Sequence, residues 1–280
     1  MILSNLALNQ DEYKAYFKGG TAVYKILDTM NRFSEDIDLT VKVVSEQSNT
    51  KNKNRLEKSA FGYDIEGLEL SKDESENKKG SITAIYKYTP IYNYGDDSLH
   101  KPGIIQVEAT SFTVSEPFKK YRIEPLIYNL ASNSEKEILK SRFMVSDFTI
   151  NIITLERIFV DKVFTAEFYY LRNMNFDTAK HLYDLTILSS KQDIINLLNN
   201  REELEKLISY KREEEKNRKG GIPEKLRIKD FSYFKFEYSS DLLKEFNSMQ
   251  NKYLLNDKYK IDIEKVKQSL LFIYKYMKLL

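Results

Sequence analysis

The sequence of 280 residues contains no cysteine. That excludes disulfides, thiolate zinc sites and cysteine nucleophiles, and it fits a reducing, cytoplasmic setting. Histidine is almost as scarce, with only His100 and His181 present. A multi-histidine metal site is therefore excluded. A Ser-His-Asp hydrolase would have to use one of these two, and no Gly-x-Ser-x-Gly accompanies them. No apolar run reaches the length needed to span a bilayer. The opening Met1-Ile2-Leu3-Ser4-Asn5 lacks the basic start and apolar core of a signal peptide. The expectation is a cytoplasmic protein with no membrane partner. Neither charge sign dominates: 44 Lys and Arg face 42 Asp and Glu, a net charge of +2. Global charge thus does not announce a nucleic-acid binder, and any RNA contact needs a local basic patch.

What remains is an ordinary globular composition, 41% hydrophobic and 31% charged. Tryptophan is missing, but 20 Tyr and 16 Phe predict an aromatic-rich core with many tyrosine hydroxyls hydrogen-bonded or partly exposed. The length suits two modest domains or one large one.

The chain is organised around Phe17-Lys18-Gly19-Gly20-Thr21-Ala22-Val23-Tyr24-Lys25-Ile26-Leu27 and the following Arg32-Phe33-Ser34-Glu35-Asp36-Ile37-Asp38-Leu39. It reads as strand, two-glycine turn, helix and second strand. In a strand, residues two apart share a face, so Asp36 and Asp38 point one way while Ile37 and Leu39 point to the core. Two adjacent carboxylates repel unless a cation sits between them. Mg²⁺ takes one or two carboxylates together with substrate phosphates. Gly19 and Gly20 permit a tight turn and close approach of backbone N–H groups, and a helix opening near Thr21 or Ala22 would aim its N-terminus at the same place, which suits phosphate. Thr21 is either a phosphate contact or the helix N-cap. Ser34 either orients a phosphate or caps the strand end. Lys18, Lys25 and Arg32 flank the site, although solvated lysine is the commoner fate in so Lys-rich a chain. A lone Gly-Gly is usually a turn and a lone Asp-x-Asp a solvated strand end. Their order and spacing together favour function.

Around this unit, residues 1–14 are a short lead of a helical turn or two. Ala22 to Met30 has helical spacing, and Ile37 to Val44 is the second strand. Ser45 to Lys58 is a loop or exposed helix. Ile65 to Leu70 and Ser81 to Tyr88 alternate as a hairpin, and Pro90 to Gly103 is a loop holding His100. Ile104 to Thr110 is a strand with Gln106 and Glu108 on one face and Ile105, Val107 and Ala109 on the other. Glu108 is either a solvated strand residue or a third carboxylate completing a metal triad. Tyr121 to Asn129 and Met144 to Ile150 read as further strands. Beyond about residue 152 the pattern turns helical. Thr154 is an N-cap, Asp177 another, residues 191–212 suit one helix, and Gly220-Gly221-Ile222-Pro223 breaks the run. Ser240 to Tyr253 and Ile263 to Leu279 follow. The predicted class is α+β: a mixed β-sheet flanked by helices over 1–152, then a helical domain over 153–280.

The string Gly-Gly, helix, Asp-x-Asp resembles the nucleotidyltransferase signature. More closely, Lys18-Gly19-Gly20-Thr21-Ala22 with Arg32-Phe33-Ser34-x-Asp36-Ile37-Asp38-Leu39 resembles the AbiEii-type toxins of bacterial toxin–antitoxin and abortive-infection systems. The resemblance implies a nucleotidyltransferase-like sheet and favours Glu108 as third metal ligand beside Asp36 and Asp38. It also implies a cognate antitoxin, an NTP substrate, Mg²⁺ and an RNA acceptor, with tRNA the best guess. Gly19, Gly20, Thr21 and Ser34 would meet the nucleotide. Spacing alone makes Lys162 a surface lysine and Asp184 a carboxylate paired with Lys180 at i,i+4. By resemblance, Asp161-Lys162 and His181-Leu182-Tyr183-Asp184-Leu185 match the family's second half. Lys162 would then bind phosphates and Asp184 would be a functional carboxylate.

The segment 216–229 carries Lys216, Arg218, Lys219, Lys225, Arg227 and Lys229 against Glu224 alone. It is either a solvated loop or an RNA backbone contact. Two rival readings stand beside RNA modification. One is nucleotidyl transfer to a small-molecule or protein hydroxyl. The other is a degenerate fold that only binds nucleotide or a partner, against which the intact Asp36 and Asp38 argue.

Overall fold

A computed structural model describes residues 1–29, 31–34, 36–91 and 103–279. His100, within the expected loop, lies outside the described residues. The chain divides into two compact units, one formed by Met1–Thr29 and Glu35–Ile153, the other by Met30–Ser34 and Thr154–Leu280.

In the first unit, α1 (Ile2–Tyr13) leads to β1 (Ala15–Lys18), α2 (Gly19–Ile26) and β2 (Asp36–Val41). Then come α3 (Asn49–Phe61), β3 (Glu69–Leu70), β4 (Glu76–Lys78), β5 (Ser81–Lys87) and β6 (Ile104–Thr110). β7 (Phe118–Ile123), α4 (Asn133–Phe143) and β8 (Phe148–Ile153) complete it. The strands form one mixed sheet in the order β3-β5-β6-β2-β1-β8-β7, with β4 paired to β5. At its centre β2 runs parallel to β6 and antiparallel to β1. Period-2 alternation decides which face is which. Phe17, Leu39, Val41, Val107 and Ala109 share the buried side, each large one contributing about 1.5–3 kcal/mol. Lys18, Asp36, Asp38, Gln106 and Glu108 take the other side and are half-buried.

Several boundaries differ from the sequence reading, each for a local reason. The lead is a full helix of 12 residues. Leu6 buries completely, and Gln10 exchanges two hydrogen bonds with the Asn151 backbone, at 2.8 and 2.7 Å. α2 opens at Gly19 and stops at Ile26, short of Met30. The first hairpin strand shrinks to Glu69–Leu70, and its charged tip contains β4. After β7, residues Leu126–Asn129 form a 3-10 turn instead of strand. The next strand starts only at Phe148, because α4 intervenes. The sequence reading does not foresee that helix. It buries no residue, so it lacks the apolar periodicity that marks a helix. Its signal is the capping box of Ser132 and Glu135.

The second unit contains α5 (Leu155–Tyr170), α6 (Asn175–Leu188), α7 (Gln192–Asn199), α8 (Arg201–Asn217), α9 (Ser240–Tyr253) and α10 (Ile263–Met277). Thr154 caps α5. Asp177 lies inside the first turn of α6, which begins three residues earlier than expected, with Met174 as its N-cap. The single helix expected over 191–212 is two. Asn200 ends α7 and its side chain accepts from the Glu203 N–H to start α8. Phe159, Val163, Leu182, Leu185, Leu207, Phe246 and Leu270 are buried in this unit. Charge joins α5 to α8: buried Arg157 pairs with Asp161 of its own helix and, at 2.5 Å, with Glu214, while Lys211 of α8 reaches Asp161 at 3.8 Å.

The short segment 31–34 belongs to this unit as a strap. Arg32 bridges Leu254 antiparallel. The Phe33 N–H donates to the Tyr253 carbonyl at 2.8 Å, and the Leu255 N–H to the Asn31 carbonyl at 3.4 Å.

Candidate active site

Three adjacent strands assemble the first group of predicted residues. The β1–β2 register sets Lys18 opposite Asp38, and the β2–β6 register sets Asp36 opposite Gln106 and Asp38 opposite Glu108. Directly paired residues share a face, so Asp36, Asp38 and Glu108 project to one side from neighbouring positions. Gly19 presses on this group from the start of α2. It has a φ of +80°, and a Cβ there would lie 2.0 Å from the Asp38 Oδ2. Only glycine combines that backbone conformation with so close an approach. Gly20 and Thr21 continue the first turn of α2. The Thr21 hydroxyl donates to the Asp36 carbonyl at 2.7 Å, tying turn to strand. It is therefore not the N-cap, a position Lys18 occupies without a side-chain cap.

Two residues that sequence reasoning did not assign tune this face. Gln106 donates to the Glu108 Oε1 at 2.6 Å and so orients that carboxylate. Thr110 accepts from the Lys18 Nζ at 3.3 Å. The alternating pattern had placed Gln106 beside Glu108, which was the signal available. Lys25 falls in the last turn of α2, at the end away from the glycines.

The second group lies in the helical unit. Asp161 and Lys162, consecutive on α5, diverge by about 100° around the helix: Asp161 joins the Arg157 and Lys211 cluster. Lys162 Nζ donates instead to the Asp184 Oδ2 of α6 at 2.5 Å. Asp184 also receives both arms of Arg32, Nε to Oδ1 at 2.7 Å and Nη2 to Oδ2 at 2.6 Å. Its side chain is fully buried. Burial pushes the Asp184 carboxyl up, but Arg32 and then Lys162 outweigh it and hold the group well below the usual carboxylate range. The i,i+4 pairing with Lys180 does not form, because Lys180 pairs with Asp177 at 2.8 Å. His181 stacks on Tyr169 with centroids 5.4 Å apart, and its Nδ1 has no hydrogen-bond partner. Burial, reinforced by Lys162, pushes its pKa well below the ordinary value, so the ring is neutral at pH 7. Ser34 ends the strap and is half-buried.

The two motif halves thus stand as built groups, one on strands, one on helices. A family model described as the nucleotidyl transferase AbiEii toxin of a type IV toxin–antitoxin system matches residues 2–268. The chain belongs to the AbiEii family. It is a nucleotidyltransferase toxin of a type IV toxin–antitoxin system, and membership implies a cognate antitoxin and an NTP substrate. Among solved structures, the nucleotidyltransferase toxin MenT4 of Mycobacterium tuberculosis H37Rv is similar at 13% identity, with a TM-score of 0.43, covering 97% of this chain and 89% of that one. No curated protein matches. The family match extends the resemblance of residues 17–39 and 154–188 over almost the whole chain.

In this AbiEii toxin, Asp36 and Asp38 supply hard oxygen donors on one face beside a glycine turn, a donor set that suits Mg²⁺ better than any softer ion. Among the described residues, no group of three or more His, Cys, Asp or Glu side chains is arranged to hold a metal ion. The third candidate, Glu108, has one oxygen taken by Gln106. The toxin has, among its described residues, no helix long and apolar enough to cross a membrane. Its basic segment is partly neutralised: Lys216 pairs with Glu224 and Arg227 with Asp230, each at 2.9 Å. Arg218 and Arg172 both stack on one ring, 3.7 and 3.6 Å from the Phe168 centroid, and Arg172 also donates to the Gly220 carbonyl. Lys219, Lys225 and Lys229 remain exposed around that turn.

Proposed function

We propose that this toxin transfers a nucleoside monophosphate from an NTP to an RNA acceptor, tRNA being the first candidate, in a Mg²⁺-dependent reaction in the cytoplasm. The observation that carries the reading is the packing of Gly19 against Asp38, on a face shared with Asp36 and Glu108. Asp36 and Asp38 would hold the metal, with Glu108 as a third ligand once it turns from Gln106. The acceptor hydroxyl would bond to the α-phosphate as pyrophosphate leaves; when bound, Mg²⁺ would supply neutralisation of the triphosphate and departing pyrophosphate charge and a lower pKa for the attacking hydroxyl.

The remaining work is positioning and charge neutralisation by the chain itself. Backbone N–H groups of Gly19, Gly20 and Thr21 at the start of α2 orient the triphosphate. Thr21 contributes through its N–H, since its hydroxyl is committed to the Asp36 carbonyl. Ser34 offers a hydroxyl to the nucleotide. The turn around Gly220, with Lys219, Lys225 and Lys229, offers the RNA backbone a point of salt-dependent contact.

The test uses the purified protein, Mg²⁺, total tRNA and each α-labelled NTP in turn, with Asp36→Ala/Asp38→Ala as control. The expected result is label in tRNA with the wild type alone. Label absent from every RNA lane, with NTP bound and the protein folded, would replace RNA by a small-molecule or protein hydroxyl as acceptor.

A further inference from the structure

The Arg172–Phe168–Arg218 stack takes no part in the reading above, yet it fixes two cations on one ring at the turn around Gly220. Building on that proposed function, we infer that Arg172 and Arg218 form a phosphate clamp. Each takes one phosphodiester of the RNA backbone, and Phe168 is the spacer between them.

Arg172 follows the end of α5, and Arg218 is the C-cap of α8. Their guanidinium carbons lie 3.6 and 3.7 Å from the Phe168 centroid. Two guanidiniums so close to one ring cannot share a face without overlapping. They therefore cover opposite faces, about 7 Å apart. Stacking uses one flat face of each guanidinium and leaves its N–H edge for a ligand. Arg172 donates through Nη1 to the Phe168 carbonyl at 2.7 Å and through Nη2 to the Gly220 carbonyl. Among the described residues, the Arg218 guanidinium donates no hydrogen bond, and its one ion pair is with Glu215 at 3.7 Å. That carboxylate is already committed, to Lys211 at 2.9 Å and to the Ile222 N–H at 2.7 Å. An arginine with a purely structural task has the setting of Arg157, 1% exposed and held by two carboxylates. Arg218 is 28% exposed, and Arg172 is exposed. A fork of donors without a committed acid matches phosphate. The backbone is shaped for this. Gly220 has a φ of +71°, and a Cβ there would lie 3.0 Å from the Arg172 Nη2; a Cβ on Gly221 would lie 2.1 Å from the Glu215 carbonyl oxygen. Glycine at both positions lets the turn close on Arg172 and on the end of α8. Because both faces of Phe168 are taken, no base can stack on it, so the clamp reads the phosphate chain and not the bases.

The experiment measures binding of total tRNA, oligo(rU) and oligo(rA) to the full chain between about 50 and 200 mM salt. It compares the wild type with Arg172→Gln, Arg218→Gln, the double variant and Lys206→Gln. Lys206 is an exposed lysine about 18 Å before Arg218 along α8, so its loss controls for net charge. On the homopolymers each arginine change should flatten the log–log salt slope by about 0.7, and the double variant by about 1.4. The two homopolymers should respond alike, and Lys206→Gln should keep the wild-type slope. Arg218→Lys should keep the slope and lose affinity, since it retains the charge but not the fork. NTP affinity should not change, and in the transfer assay KM for tRNA should rise with kcat unaltered. Unchanged slopes in the arginine variants, an equal fall in Lys206→Gln, or a loss confined to one homopolymer would overturn the clamp. Weakened NTP affinity would overturn it too and give the arginines to the triphosphate. Arg172 also holds the turn, so if Arg172→Gln does not fold, Arg218→Gln decides alone. If the wild type binds RNA with these slopes but transfers nothing to it, the proposed function fails and the clamp stands. If the wild type binds none of the three RNAs, the clamp fails.

Discussion

Asp38 and Asp184 are both aspartates placed by tertiary structure, and the protein holds them in opposite ways. Asp38 sits half-buried on a strand, with a glycine's backbone against its carboxylate. Asp184 sits in a helix with no exposed side-chain surface and two cations upon it. The contrast separates two uses of negative charge. A half-buried carboxylate beside a glycine turn stands on a face that a cation arriving with substrate would meet. One enclosed by Arg32 and Lys162 has its counter-charge built in.

The strongest test of that contrast is activity. Asp36→Ala and Asp38→Ala should each lower nucleotidyl transfer by roughly three orders of magnitude or more, about 4 kcal/mol of transition-state stabilisation, while the melting temperature stays near that of the wild type. A variant that stays folded and fully active would end the metal assignment. The opposite balance is expected at Asp184. Asp184→Ala leaves Arg32 and Lys162 buried without their counter-ion, a loss of about 3–5 kcal/mol in urea unfolding. The pH dependence follows with a definite sign. Because the folded pKa lies below the ordinary 3.8, the group stabilises the fold above that value, and the contribution disappears as pH falls through the folded pKa. Wild type should therefore lose stability steeply on acidification below about pH 5, and Asp184→Asn less so; equal slopes would mean that Asp184 is not the group titrating.

Gly19 offers a smaller effect that bears on the reachable carboxylate. Alanine there meets both the positive φ and the Asp38 oxygen, so Gly19→Ala should cost about 1–3 kcal/mol and displace Asp38. Calorimetry and transfer assays should fall together, whereas Gly67→Ala, with open space around it, should leave transfer intact. The smallest effect is expected at the basic turn. Lys219→Gln/Lys225→Gln/Lys229→Gln should weaken RNA binding and flatten its log–log salt dependence by about 0.7–0.9 for each phosphate no longer neutralised, with NTP binding untouched. An unchanged slope would move the RNA surface elsewhere.

Legibility from sequence followed burial and chain distance. α9 was readable to the residue, because Ser239 caps it and Leu242, Phe246 and Met249 repeat on one buried face. α4 was not, because its lack of buried residues leaves no period to read. The break at Asn200 was marked by the polar run Asn199-Asn200-Arg201-Glu202-Glu203 between Leu198 and Leu204, in which Asn200 is the cap of α8. At the candidate site, Asp36 was legible as sharing a face with Asp38, and Glu108 with Gln106, since strand alternation is local. That Asp38 and Glu108 are direct neighbours needed the parallel β2–β6 register, which no local rule supplies. Asp184 was misread on spacing for the same reason. A local rule offered Lys180, four residues away, while the partner in space is Arg32, 152 positions off.

The strap has one more consequence, in time. Its backbone partners Tyr253 and Leu254 come more than 200 positions after it in the chain. During synthesis the glycine turn and the acidic strand leave the ribosome early, and Asp184 much later. At about 5–20 residues per second, the wait between Arg32 and Leu254 is roughly 10 to 45 s. Within that interval Arg32 can already meet Asp184, but the bond from the Phe33 N–H to the Tyr253 carbonyl must wait for α9, so the strap docks in stages, and a message cut short before α9 yields a product in which that backbone bond cannot form.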